Sequence, residues 1–298
     1  MNQLKKDNQI LVIGVAYPSI KFFLSAYLDS LESQSFKFFT VLIGDDGFDN
    51  LDFLLEGRDL DWHTIDVSGS PSENRMAVIN KALDLGFQKI IFTDCDDVLN
   101  FNRVEVVSKI LDKVSIVVND LDVIDEFGCL KHSGYLSNRL VDGEMISLDH
   151  IRAGNLMGLT NTAVRADCLR GFTQIDVKDV IAFDWFLWCS LLACGARAAF
   201  TSRTSTKYRV YEGNVAGLPQ LITEKNVEKC IKLKYHHYYL MCKIESSFDE
   251  LMSEFQMVKS KIKNKIWRQT YVRVLQDNAI EKNIWWENFR PPSELEIK

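Results

Sequence analysis

Apolar and polar positions follow two alternating rhythms along most of this 298-residue chain. Residues 10–15 (ILVIGV), 38–43 (FFTVLI), 62–67 (WHTIDV), 89–93 (KIIFT) and 114–119 (VSIVVN) are short runs rich in β-branched and aromatic side chains, which predicts buried strands. Between them the apolar positions shift to helical spacing. Phe23, Leu24, Tyr27, Leu28 and Leu31 predict a helix over 20–31. Met76, Ile79 and Leu83 predict another, with Ser70 as N-cap, Pro71 at the first helical position and Gly86 as the stop. A short helix is expected over 51–55 and a longer one from about Asn102 to Lys113. Strand and helix thus take turns, which predicts right-handed crossovers and an α/β fold with a mostly parallel central sheet and flanking helices.

Beyond Asn119 the rhythm loosens. Residues 120–149 are polar and punctuated by glycine, as in a hairpin or a flap. A strand is expected over 156–164, an apolar helix over 183–193 with Gly195 as its C-cap, and two further strands over 196–201 and 206–210, closing at Tyr211-Glu212-Gly213-Asn214. From about Leu218 to Asn283 the chain is rich in Lys and Glu, and Leu251, Phe255, Val258 and Ile262 stand three and four apart, which predicts two or three helices. The expected division is a sheet domain over residues 1–218 and a helical extension over 219–298. Trp285 and Trp286 in the tail either pack on the parent domain or mark contact with a second subunit or a membrane surface.

Composition narrows the class. With 47% hydrophobic residues the chain can bury a full core, and a net charge of -6 argues against a nucleic-acid binder with a basic surface. Seven cysteines stand singly, with no C-x-x-C pair, which fits a reducing cytoplasm better than a disulfide framework or a zinc site. The opening MNQLKKDNQI lacks the apolar core of a signal peptide, and no uncharged apolar run approaches membrane-spanning length. A cytoplasmic protein is the expectation.

The candidate chemistry lies at strand ends. Asp94, Asp96 and Asp97 follow the 89–93 strand, and like charges packed there destabilise the fold unless a cation is shared among them. That points to a hard divalent metal and a phosphate-bearing ligand. Gly44-Asp45-Asp46-Gly47 is a second acidic strand end, with glycines that let the backbone turn and approach a ligand. Taken alone, either stretch reads as an ordinary acidic turn. In a parallel sheet both fall on the edge where open α/β sheets bind ligands.

In this order the features resemble the family-two glycosyltransferases, inverting enzymes built on the nucleotide-sugar-binding GT-A fold, over residues 10–217. Ala16-Tyr17-Pro18 stands where that family has a Pro-x-Tyr-Asn loop against the nucleotide base. LESQSFKFFTVLIGDDGFDN resembles its Ser-x-x-x-Gln, strand and Asp-Asp-Gly-Ser pattern, which implies that Asp46 or Asp45 accepts hydrogen bonds from base or ribose. Asn80 matches the Asn on the helix before the central strand, and Asp94-Cys95-Asp96-Asp97 matches Asp-x-Asp-Asp. FDWFLWCSLLACG and YRVYEGNVAG resemble the Glu-Asp-Trp helix and the closing Tyr-Arg-x-His segment. The resemblance implies Mn²⁺ or Mg²⁺ held by Asp96, with Asp94 on metal or ribose and Asp97 beside them, and Asp184 as the base that deprotonates an acceptor hydroxyl. Arg209 and Lys207 are candidates for diphosphate contact. The implied partners are a nucleotide-sugar donor, UDP favoured by its frequency in the family, and a glycan, lipid-linked or protein acceptor.

Three positions depart from the pattern: Phe183 replaces the Glu before Asp184, Tyr211 stands where a His often lies near the metal, and Ser19 replaces the Asn of the first loop. They leave room for a degenerate homologue that binds nucleotide without turnover. A haloacid-dehalogenase-type phosphatase is the rival enzyme, with Asp94 as nucleophile and Asp96 as acid/base, but its motif follows the first strand and here it follows about the fourth. The C-terminal helices are the candidate surface for peripheral membrane contact or homo-oligomer formation.

Overall fold

The computed structural model describes residues 10–211, 222–279 and 285–295, the last without the side chains of Trp285 and Trp286. Both tryptophans' packing and the expected closing segment after Tyr211 therefore lie outside the described residues. Residue contacts group the chain into two compact units. One holds Met1–Ser147, Met157–Asp179 and Cys194–Arg209; the other holds Leu148–Leu156, Val180–Ala193 and Val210–Lys298.

The first unit begins with the expected alternation. Strand β1 (Ile10–Ala16) is followed by a 3-10 turn at Pro18–Ile20 and helix α1 (Leu24–Glu32), then β2 (Thr40–Asp45), α2 (Leu51–Leu55), β3 (Asp61–Asp66), α3 (Pro71–Asp84) and β4 (Lys89–Phe92). Pro18 ends the β1 ladder and delays the first helix beyond Ile20, where the spacing alone would start it. A capping box opens α3: Ser70 Oγ accepts from Glu73 N, and Glu73 Oε2 accepts from Ser70 N at 2.8 Å. The sheet runs β3-β2-β1-β4, with every pair among these four parallel. Their apolar faces form one core with Leu24, Tyr27, Leu28 and Leu31 of α1.

The later strands depart from the expectation. A two-residue strand β5 (Val98–Leu99) precedes α4 (Arg103–Ile110), and β6 (Ile116–Asp125) runs six residues past Asn119 into the stretch read as polar hairpin or flap. There β7 (Leu130–His132) folds back on β6, and β8 (Met145–Ile146) pairs elsewhere. The second unit's short α5 (Leu148–Ile151) comes next, and then β9 (Thr162–Arg165), which is shorter than the run 156–164 and antiparallel to both β4 and β6. Helix α6 (Ala166–Phe172) follows it without having been anticipated. The second unit's α7 (Phe183–Ala193) comes next and ends at Gly195 with φ 87°, as expected. The two strands expected over 196–201 and 206–210 are one, β10 (Ala198–Val210). In its polar middle Ser202 and Arg203 are exposed, and the hydroxyls that are buried find partners: Thr201 Oγ1 donates to Asp142 Oδ1 at 2.7 Å and Thr206 Oγ1 to Thr160 O at 3.0 Å.

The second unit contains α8 (Glu224–Met241), α9 (Asp249–Lys261) and α10 (Lys265–Asp277), where the Lys/Glu-rich spacing predicts two or three helices. Val227, Ile231, Val258, Tyr271 and Leu275 form their core. Helix α7 is apolar around most of its circumference, and Trp185 stacks on His237 of α8 with ring centres 3.7 Å apart. No helix among the described residues is long and apolar enough to cross a membrane.

Lys234 of α8 is 3% exposed and donates to the carbonyls of Ala153 and Phe289. Burial pulls its pKa down from 10.5 to about 8. Below about pH 8 both folded and unfolded chains carry the charge, and the fold bears the full penalty. As pH rises from about 8 to 10.5 the folded chain has already lost the proton that the unfolded chain still holds, so stability should rise, by at most roughly 3 kcal/mol. Denaturant melts of Lys234→Met should lose this alkaline rise; a rise that persists would assign it to another group.

Candidate functional site

The candidate nucleotide-side residues all lie in the first unit, and all but Asn80 and Arg209 stand at the carboxyl edge shared by β1 to β4. Backbone bonds tie the strand ends together: Asp46 N donates to Ala16 O and Val67 N to Asp45 O, each at 2.9 Å. Asp45 Oδ1 accepts from Phe48 N at 2.6 Å, closing a turn in which Gly47 takes φ 72°. These bonds frame an open cleft of about 390 Å³ lined by Asp45, Asp46, Gly47, Asp66, Val67 and Ser68. Ala16 is fully buried and contributes its carbonyl, while Tyr17 packs half-buried against the core and Pro18 opens the 3-10 turn.

The second acidic end is built into the fold. Thr93 N donates to Ile13 O at 2.9 Å, and Asp97 N to Asp94 O at 3.1 Å closes the turn after β4. Cys95, between the acids, faces the core; a Cβ on Gly14 would stand 2.7 Å from its Sγ, so β1 needs glycine there. Asp96 is 7% exposed and Asp97 1%. Burial raises the Asp97 carboxyl well above the usual range, and Asp96 and Asp94 raise it further. Crowding by surrounding protein also raises Asp94, although a third of its side chain meets solvent, and Arg75 and Arg103 pull it down.

Three arginines answer these charges. Arg103 is fully buried, donating Nε to Asn119 Oδ1 at 2.8 Å and Nη2 to Phe92 O at 2.9 Å; burial lowers its pKa to about 10 against the pull of Tyr27, Asp97 and Asp94. Arg75 Nη2 stands 3.9 Å from Asp94 Oδ1, with both side chains one-third open. Arg209 is 3% exposed. Its N–H donates to Asp97 Oδ1 at 2.7 Å, Nε to Asp96 O at 2.8 Å, and Nη1 to the carbonyls of Asp125 and Glu126, with Phe23 under the guanidinium.

The Arg209 fork reaches protein carbonyls through Nε and Nη1, so it shapes the acidic turn from within the protein. Asn80 is exposed on α3, whereas Asn74 and Arg75 occupy the helix start near the strand ends. The six residues from Asn74 to Asn80 correspond to about 9 Å of helix rise. Asn74 is 2% exposed and its Oδ1 accepts from Gly69 N at 2.7 Å, while its buried Nδ2 has no hydrogen-bond partner. An Asn-Arg pair one turn into the helix that follows the Ser70 N-cap was the available signal for these two residues. Among the described residues no three His, Cys, Asp or Glu converge to hold an ion, so Asp94, Asp96 and Asp97 do not form a cage by themselves. The donor set of Asp94 with the buried Asp96 and Asp97, the carboxyls of Asp94 and Asp97 being raised, still fits a cation completed by phosphate oxygens, because Mg²⁺ commonly uses only one or two carboxylates.

Asp184 belongs to the second unit. Its Oδ1 accepts from Trp185 N at 2.8 Å and its Oδ2 from Asn155 Nδ2 at 2.9 Å. Phe183, in place of the Glu expected from the resemblance, is 3% exposed.

Four parallel strands with acidic turns at their carboxyl edge, followed by antiparallel partners, make up a GT-A-like fold. Among solved structures it resembles TarS 1–349 of S. aureus in complex with UDP at 15% identity, over 90% of this chain and 75% of that one, with a TM-score of 0.59. The same protein in complex with UDP-GlcNAc gives 16% identity over 94% and 79%, with a TM-score of 0.60. Mannosyltransferase PcManGT from Pyrobaculum calidifontis, in complex with GDP-Man and Mn²⁺, gives 13% over 92% and 77%, with a TM-score of 0.58. No family profile and no curated protein sequence matches the chain.

Arg209→Lys keeps the charge but loses the fork that reaches three carbonyls, so the unfolding free energy should fall by roughly 2–4 kcal/mol in urea melts. Unchanged stability with weakened nucleotide binding would return Arg209 to the ligand.

Proposed function

We propose that this protein is an inverting glycosyltransferase of the family-two type, moving a sugar from a nucleotide-diphosphate donor to a hydroxyl of a glycan, lipid-linked or protein acceptor. The observation that carries the reading is the pairing of two acidic strand ends on one sheet edge, one bounding an open cleft and the other holding buried carboxylates raised toward protonation. The neighbours with UDP, UDP-GlcNAc and GDP-Man support a nucleotide-sugar donor, and the one with Mn²⁺ supports a divalent ion.

In this reading Asp45 and Asp46 accept hydrogen bonds from base or ribose, and Tyr17 bounds the base. Asp96 and Asp94 would hold Mn²⁺ or Mg²⁺, which would supply positive charge against the charge developing on the departing diphosphate. Arg103, through the Phe92 carbonyl, and the Arg209 N–H, through Asp97, brace the acidic turn. Asp184 removes the proton from the acceptor hydroxyl as it attacks the anomeric carbon from the face opposite the leaving group.

Calorimetry with UDP, GDP and dTDP, each with and without Mn²⁺, tests the donor site. One nucleotide should bind in a metal-dependent way, and Asp96→Ala should weaken that binding about a hundredfold or more. Binding of none of the three would overturn the assignment. Asp184→Asn should lower turnover about 10²- to 10⁴-fold while leaving nucleotide affinity unchanged; full turnover would remove Asp184 from the chemistry.

A further inference from the structure

Asp184 is braced by polar groups of the second unit. Asn155 donates to Oδ2 and the Trp185 backbone to Oδ1, so both carboxylate oxygens are engaged and rotation of the group is restrained. Asn155 lies just beyond the single turn of α5, in a segment with little regular structure of its own. Two helices pin that segment by its carbonyls. Trp185 Nε1 of α7 donates to Ile151 O at 2.7 Å, Lys234 Nζ of α8 to Ala153 O at 2.8 Å, and Tyr238 Oη reaches the same oxygen at 3.4 Å. Lys234 and Tyr238 are both buried, so these bonds are shielded from water.

From this geometry we infer that Asn155 is a positioning residue for Asp184, fixing the plane of its carboxylate, and that α8 holds Asn155 in place through Lys234. The inference rests on Asp184 being the base. It gives the C-terminal helices a part in the reaction, as the support of the segment that orients the proton acceptor.

The test uses UDP-GlcNAc and GDP-mannose with Mn²⁺ and water as acceptor. A water oxygen bonds to the anomeric carbon, the bond from that carbon to the diphosphate oxygen breaks, and the water proton passes to Asp184; release of UDP or GDP is followed. Asn155→Ala should lower kcat about ten- to a hundredfold, and Asn155→Ser, which keeps a donor, should lower it less. Calorimetric affinity for the nucleotide should stay within about twofold. Introduced into Asp184→Asn, Asn155→Ala should add no further loss, because it acts through the group already removed. An equal loss in both backgrounds would make Asn155 a folding residue only and overturn the inference, as would wild-type kcat in Asn155→Ala. Full cleavage by Asp184→Asn alone would overturn the base assignment instead, and absence of cleavage by the wild type would overturn both.

Discussion

Three carboxylates within four residues, two of them almost fully buried, set the condition that the first unit must meet. A buried carboxylate without compensation prefers to be neutral, and neighbours of like charge strengthen that preference. The fold answers from below with the buried Arg103, from the side with the Arg209 backbone N–H, and at the rim with Arg75. The compensation is incomplete, since Asp94 and Asp97 remain raised. The proposed cation would make good that shortfall of positive charge.

The rest of the unit can be read as support for that turn. The parallel order of β1 to β4 brings the Asp45 turn to the same edge, and strand-to-strand bonds from Asp46 and Val67 lock the two strand ends flanking it. The length of β10 carries Arg209 from a segment far along the chain to the acidic turn, and the threonines in its middle donate to Asp142 and the Thr160 carbonyl rather than to water. In the second unit the same logic holds on a smaller scale, with buried Lys234 and Trp185 fixing a poorly structured segment through its carbonyls.

Signals confined to a few neighbouring residues were legible in the sequence. The capping box at Ser70, the left-handed Gly195, the apolar helix at 183–193 and both acidic strand ends are local, and each was readable without knowing its partners. What escaped depends on distant contacts. The polar middle of β10 looks like a break until Asp142 and Thr160 supply partners. Arg209 looks like a free cation at a strand end until the carbonyls of Asp96, Asp125 and Glu126 surround it. Asn80 and Asn74 differ only in phase and height along one helix, which a motif match does not resolve. The attachment of 148–156 to the helical unit leaves no periodic trace, because the bonds that hold it run to backbone oxygens, which every residue has.

Gly14 has a consequence for the protein's behaviour under oxidation. Because β1 offers no side chain there, the Cys95 thiol is drawn into the core, 1% exposed, and burial beside three acids raises its pKa well above the usual range. The thiolate that alkylating agents and peroxides attack is therefore scarce and out of reach. Cys129 and Cys194 are exposed and would react first. The acidic turn carries its single sulfur atom on the inside, where oxidative damage to the surface does not register.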